Sequence, residues 1–275
     1  MALTVAAGGP PGSLIGLDRA RAVVEYPIAT DRTGLFVLLD IDAEVLGPLR
    51  SATPSDAALA SGYGADLVTA RTTGGVVTEL AESDLSVFEE HTVAGALVRD
   101  PSRQAPFNLY AVPDAVRAAV GEREAATPGS SGVVPTDGQA GDGTQQNEVT
   151  VQVVDDRAIT WTWEANAGHW LRTAGGRLEQ SATGERIGAD IVLVYEAQAT
   201  RDDSGDREAR PPVIADLTGS GTAQVLRDGM VFDARWERSG TAALPTIRGG
   251  GDLPSGATTW VHVCAAPCTA PPGPA

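Results

Sequence analysis

Lysine is absent from this 275-residue chain: all 20 of its basic residues are arginine, set against 36 acidic ones, for a formal charge of −16. A GC-rich coding sequence explains arginine in place of lysine without any phosphate-clamping role. The acidic balance leaves no basic footprint for a phosphate backbone, so nucleic acid is excluded as a partner. Long apolar runs are missing too. None approaches the ~18 residues of a spanning helix, and no membrane span is expected. Only two cysteines occur, Cys264 and Cys268, and with no second Cys/His pair a zinc site lacks ligands. The two can close a small disulfide loop in an oxidising compartment, tightened by Pro267, or remain inert thiols near the chain end. No cofactor is implied.

Catalytic signatures are equally scarce. The three histidines, His91, His169 and His262, have no metal-ligand spacing and read as structural or surface groups. No Gly-x-Ser-x-Gly elbow is present. Ser220 lies among small residues but precedes a strand rather than a helix. The runs Gly219-Ser220-Gly221 and Gly249-Gly250-Gly251 lack the lysine and helix of a phosphate loop and read as turns. The first residues, Met1 to Pro11, carry neither a basic nor a full apolar signal region, which read literally gives a cytoplasmic start.

What is present is glycine and proline (32 and 18 residues), which favours turns and short elements over long helices. Apolar runs at Ala22–Tyr26 and Leu35–Ile41 predict buried strands, with shorter ones at Leu67–Thr69 and Val76–Leu80. Pro54-Ser55-Asp56 opens a helix with Ser55 as N-cap, Ser83 begins a weaker one, and Pro113–Val120 is a short amphipathic helix. Residues 1–120 therefore read as a mixed α/β domain. Residues 121–146 offer almost nothing to bury and read as a disordered linker. From 147 to 270 the pattern is mainly β. Val149–Val154 and Ile159–Trp163 predict one hairpin, Asp228-Gly229 marks the turn of a second, and Ile191–Tyr195 and Thr258–Cys264 predict further strands. Arg201 to Arg210 is a solvated loop. The fold class is α+β. The five tryptophans all lie in the second part and fit a β core better than a sugar-stacking groove.

Several phrases then fall into a known order. Ile15-Gly16-Leu17-Asp18 leads to Val24-Glu25-Tyr26-Pro27, Gly47-Pro48-Leu49-Arg50-Ser51, and Arg99 to Tyr110. Trp161-Thr162-Trp163, His169-Trp170-Leu171-Arg172, Gly219 to Gly229, Ala234 to Arg238 and Leu253 to Val261 follow. Together, over about Gly12 to Val263, they resemble the YerB-like lipoprotein family, a bacterial group of two successive domains without an established activity. The resemblance implies an extracytoplasmic, cell-envelope protein. It also implies a lipidated cysteine and then a strand ending in Asp-Asn, neither of which is found: either the start is called too late or this is a shortened relative, and an edge of the first sheet left uncovered would be an association site. The family's Glu-Gly-Gly-x-Thr-Arg stands here as Ala29-Thr30-Asp31-Arg32-Thr33-Gly34, and its Pro-His-Asn as Pro106-Phe107-Asn108. Loss of that acid and that imidazole counts against an active enzyme.

Five residues are candidates for a binding site. Arg50 and Ser51 in a Gly-Pro turn can hold a carboxylate or phosphate, or Arg50 can salt-bridge an internal acid such as Glu25. Arg99 and Asn108, with Arg103, can extend that pocket. Glu25 at a strand end can act as a base if its pKa is raised. The function expected is non-catalytic binding or scaffolding in the envelope, with an anionic envelope ligand or a protein as partner. The alternative is an envelope hydrolase or transferase with Glu25 as base and Arg50 and Arg99 as clamps, which requires Glu25, Arg50 and Asn108 in one pocket.

Overall fold

A computed structural model of the chain describes residues 1–7, 13–29, 31–38, 43–72, 76, 80, 85–121, 141–154, 157–201, 213–216, 218–240, 243–254, 256–265 and 268. It is mostly β. The first half contributes β1 (Ala2–Ala6), β2 (Ala22–Ala29), β3 (Arg32–Leu38), β4 (Leu67–Val68), β5 (Val87–Phe88), β6 (Leu97–Arg99) and β7 (Leu109–Ala111). It also carries the helices α1 (Pro54–Tyr63) and α2 (Pro113–Val120). The second half supplies β8 (Thr144–Gln145), β9 (Glu148–Val154), β10 (Arg157–Glu164), β11 (His169–Ala174), β12 (Arg177–Leu178) and β13 (Gly188–Ala189). It ends with β14 (Ile191–Arg201), β15 (Val213–Asp216), β16 (Gly219–Arg227), β17 (Met230–Arg238), β18 (Thr246–Arg248) and β19 (Thr259–Ala265).

Both halves build one sheet. Its path runs β18-β17-β16-β14-β19-β2-β3-β1-β4-β5, with β15 added on β14 and β8 on β17. The seam is the parallel pair β19–β2, where His262 stands opposite Glu25. Thr259–Ala265 therefore sits at the centre of the sheet rather than closing its edge. Side chains alternate across a strand, so β2 sends Val23 to one core and Val24 to the other, and both faces are covered. A second sheet, β12-β11-β10-β9 with β13 on β11, packs on the first of those cores. There Trp161 and Trp170 are fully buried and Trp260 nearly so, with Trp163 packed against them, while Trp236 is buried in the core on the other face.

Several local expectations change. The edge of β3 is covered, because Ala2–Ala6 pairs antiparallel with β3 and parallel with β4. The N-cap of α1 is Thr53, not Ser55, since the Asp56 carboxylate reaches back to the Thr53 N–H at 2.7 Å in a capping box. Val76 and Leu80 are buried and helical instead of extended. The Asp228-Gly229 turn forms as read, with both residues at positive φ. Thr144–Gln145 of the linker stretch is a strand on β17. Residues 122–140, most of the expected Arg201–Arg210 loop, and Ser83 itself lie outside the described residues, while the helix read from Ser83 onward gives way to strand β5 at Val87–Phe88, which pairs with β4.

Cys264 and Cys268 are joined by a disulfide and both are buried. The bond fastens the segment after β19 between two elements. The Cys268 N–H donates to Glu196 Oε1 at 3.0 Å, and its carbonyl accepts from the Gln152 N–H of β9 at 2.7 Å. A loop this short constrains the unfolded chain by about 2 kcal/mol. Reduction, or the pair Cys264→Ser with Cys268→Ser, is expected to lower stability by about that amount. Urea unfolding midpoints with and without reductant measure it, and an unchanged midpoint would show the bond contributes nothing.

Candidate functional site

Glu25 lies at the middle of β2 with no exposed surface. A carboxylate there must be fully partnered, and it is. Thr33 donates to Oε1 at 2.8 Å, and Arg157 Nε lies 3.3 Å from the same oxygen. Arg172 Nη2 donates to Oε2 at 2.7 Å, and His262 Nδ1 stands 3.6 Å from it. Three of those four groups come from the second half of the chain. Arg172 is itself fully buried, ion-paired with Glu179, and stacked over the Trp260 ring at 4.7 Å. The Trp161 indole N–H, which can only donate, points at His262 Nε2 at 2.8 Å. The neutral imidazole therefore carries its proton on Nδ1, toward Glu25.

The electrostatics follow from burial and these neighbours. Burial pushes the Glu25 pKa up, but Arg172, Arg157 and His262 outweigh it and hold the value at about 2. Burial lowers His262 to about 3, the attraction of Glu25 being opposed by the two arginines. Glu25 is thus a permanently ionised structural anion, without the raised pKa a general base needs.

Arg50 is also engaged internally, with Asp56 as its partner rather than Glu25. Its Nη1 and Nη2 take both Asp56 oxygens at 2.8 and 2.9 Å. The remaining donors reach Val5 O at 3.2 Å, Ser51 O at 2.8 Å and Tyr26 Oη at 2.6 Å. Tyr26 in turn donates to Asp56. All five guanidinium N–H groups are spent. The side chain fits only because residue 34 has none, since a Cβ on Gly34 would sit 2.3 Å from Arg50 Nη2.

A cleft of about 530 Å³ opens beside these two centres at the junction of the halves. Arg50, Ser51 and Arg99 line it, whereas Glu25 and Asn108 do not. Glu25, Arg50 and Asn108 are not brought into one pocket. Asn108 instead accepts from Arg99 Nη1 at 3.1 Å, and Arg99 is held by both oxygens of Glu90. Arg103 pairs with Asp100 at 3.0 Å. The cleft adds Arg32, Thr33 and Arg157, which the sequence did not single out, and an apolar lining that includes Ile28, Leu49 and Phe107. Arg157 lies in the short connection between the two strands of the predicted hairpin. Asp56 was visible only as a first-turn acid. His91 is exposed beside Glu89, His169 is half-buried, and no group of metal-ligating side chains occurs among the described residues.

These features define a class: a mostly β, two-domain protein in which the second half completes the first half's sheet and neutralises its buried glutamate. Models of the N-terminal and C-terminal domains of a protein of unknown function, DUF3048, match residues 13–126 and 149–261. The chain belongs to this YerB-like two-domain family, whose function is unknown. The crystal structure of the YerB protein from Bacillus subtilis superposes with a TM-score of 0.76 at 18% identity, covering 96% of this chain and 89% of that one. No curated protein matches. No helix among the described residues is long and apolar enough to cross a membrane.

Two predictions come from the buried charges. Both folded-state pKa values lie below their unfolded ones, so the associated stability is complete above pH 6.5 and declines as the pH falls. His262 acts from about 6.5 to about 3 and Glu25 from about 4.5 to about 2. His262→Gln is expected to flatten the decline between pH 6.5 and 4.5, measured as urea midpoint against pH. An unaltered profile would show that His262 is not the group responsible. Gly34→Ala is expected to cost about 1–3 kcal/mol by pushing Arg50 off Asp56, whereas Arg99→Ala at the exposed pair should change stability by less than about 1 kcal/mol.

Proposed function

We propose that this protein is a non-catalytic binding protein of the cell envelope whose interdomain cleft holds an anionic ligand with an apolar body. The carrying observation is the composition of that cleft. Four of the chain's 20 arginines line it, against the single acid Asp31 and an apolar floor, in a molecule of formal charge −16. Arg50 and Arg99 are held by internal partners, so the edges of Arg32 and Arg157 over the apolar walls are the ones to recognise an anion while the rest of the ligand is buried. Catalysis is the weaker reading because the acid suggested as base is buried, ionised and surrounded by cations. Both stretches in which the chain departs from the family's pattern, Asp31 to Thr33 and Pro106-Phe107, also line the cleft. A ligand that differs from one relative to another fits that variation. The buried disulfide accords with an oxidising, extracytoplasmic compartment.

Thermal-shift screening against muropeptides, nucleotides, simple organic anions and teichoic-acid fragments tests the reading. Wild type is compared with Arg32→Gln, whose side chain is 58% exposed and whose loss does not threaten the fold. A ligand at 100 times its Kd raises stability by about 2.7 kcal/mol. A shift with a small anion, weakened by Arg32→Gln, is the expected result. Polyanionic fragments should bind less well, because the surrounding surface repels them. Absence of any shift across the panel would overturn the reading in favour of a scaffold.

A further inference from the structure

Charge balance and spent hydrogen bonds single out one arginine in the cleft. Arg50 has no N–H to offer. Arg99 is taken by Glu90 and Asn108. Arg32 stands exposed at the rim, 3.8 Å from Asp31, where water weakens any ion pair. Arg157 differs from all three. Its side chain is only 20% exposed, its Nε is fixed on Glu25, and its Nη2 donates to the Ala7 carbonyl. Its Nη1 has no partner among the described residues. A guanidinium immobilised on one side and unspent on the other is pre-organised for a charge-assisted hydrogen bond.

The surroundings limit the charge of what it holds. Each arginine of the cleft already faces an acid: Arg50 faces Asp56, Arg99 Glu90, Arg157 Glu25 and Arg32 Asp31. No surplus cation remains to neutralise a dianion, whereas one negative charge can share the open edge of Arg157.

We propose, on the anion-binding reading above, that the ligand is a monoanionic carboxylate bearing an apolar chain, anchored by Arg157 from the second half of the protein. The apolar chain lies along Ile28, Leu49 and Phe107, and Glu25 acts as the positioning residue that aims the guanidinium. The site is then composite, with walls from the first half and its anchor from the second.

Calorimetry at pH 8 with octanoate, octanamide and octyl phosphate tests this on the full chain. Octanoate is expected to bind at least ten times more tightly than either the neutral amide or the dianion. Arg157→Gln should reduce octanoate affinity at least tenfold and leave octanamide unchanged, while Arg248→Gln, at an exposed pair outside the cleft, changes neither by more than about twofold. Arg157→Lys provides a second variant: it keeps a cation beside Glu25, so the fold is retained, yet loses the Nη1 edge and should also weaken octanoate. Equal or tighter binding of octyl phosphate would overturn the monoanion assignment. Octanoate binding unaffected by both Arg157 variants would overturn the anchor. If octanoate fails to bind while another small anion shows Arg32-dependent binding, this inference falls and the broader reading stands. If no anion binds, both fall.

Discussion

A carboxylate with no access to water, Glu25, is the constraint on which the two halves of the molecule depend. An ionised group at the centre of a sheet is tolerated only when its desolvation is offset by close partners. The first half supplies one hydroxyl, that of Thr33, and the second supplies two guanidiniums and an imidazole. Neither half alone can satisfy the charge. Breaking such a buried centre by removing one partner typically costs about 3–5 kcal/mol. The parallel pairing of β19 with β2 brings His262 beside Glu25, so backbone register and charge neutralisation enforce the same assembly.

The second polar centre does for the cleft wall what the first does for the seam. Asp56 caps α1, accepts both terminal nitrogens of Arg50 and takes the Tyr26 hydroxyl, so helix start, turn and strand are fixed on one carboxylate. Gly34 leaves the space that makes this approach possible. Two rigid charge clusters thus flank the cleft, and the groups left to meet a ligand are those at their margins. This separation explains why Arg50, the most conspicuous arginine in the sequence, is structural, while Arg157, inconspicuous in a turn, faces the opening.

Much of the local structure was legible because it depends on neighbours in sequence. Alternation marked the hairpin strands, Asp228-Gly229 marked its turn, and Pro113 opened a helix that forms as read. The N-cap of α1 was placed two residues late, at Ser55, since Thr53 and Ser55 are both good caps and only the Asp56 geometry decides between them. Ala2–Ala6 escaped notice as a strand because Ala-Leu-Thr-Val-Ala is too short to carry a periodicity, yet β3 and β4 give it partners on both sides. In the site, Arg50, Ser51 and Arg99 were found to share the cleft, whereas Glu25 and Asn108 stand outside it.

The sequence by itself determined the acidic balance, the absence of metal and hydrolase motifs, the β-rich second half and, through its ordered motifs, the family. Those properties reside in composition and in residues close along the chain. Tertiary structure alone decided which charges meet. Glu25 lies 132 residues from Arg157 and 147 from Arg172, and no spacing rule links positions so far apart. The meeting of those groups is set by β19 inserting between β14 and β2, because only a sheet shared by both halves places the second half's cations against the first half's buried acid.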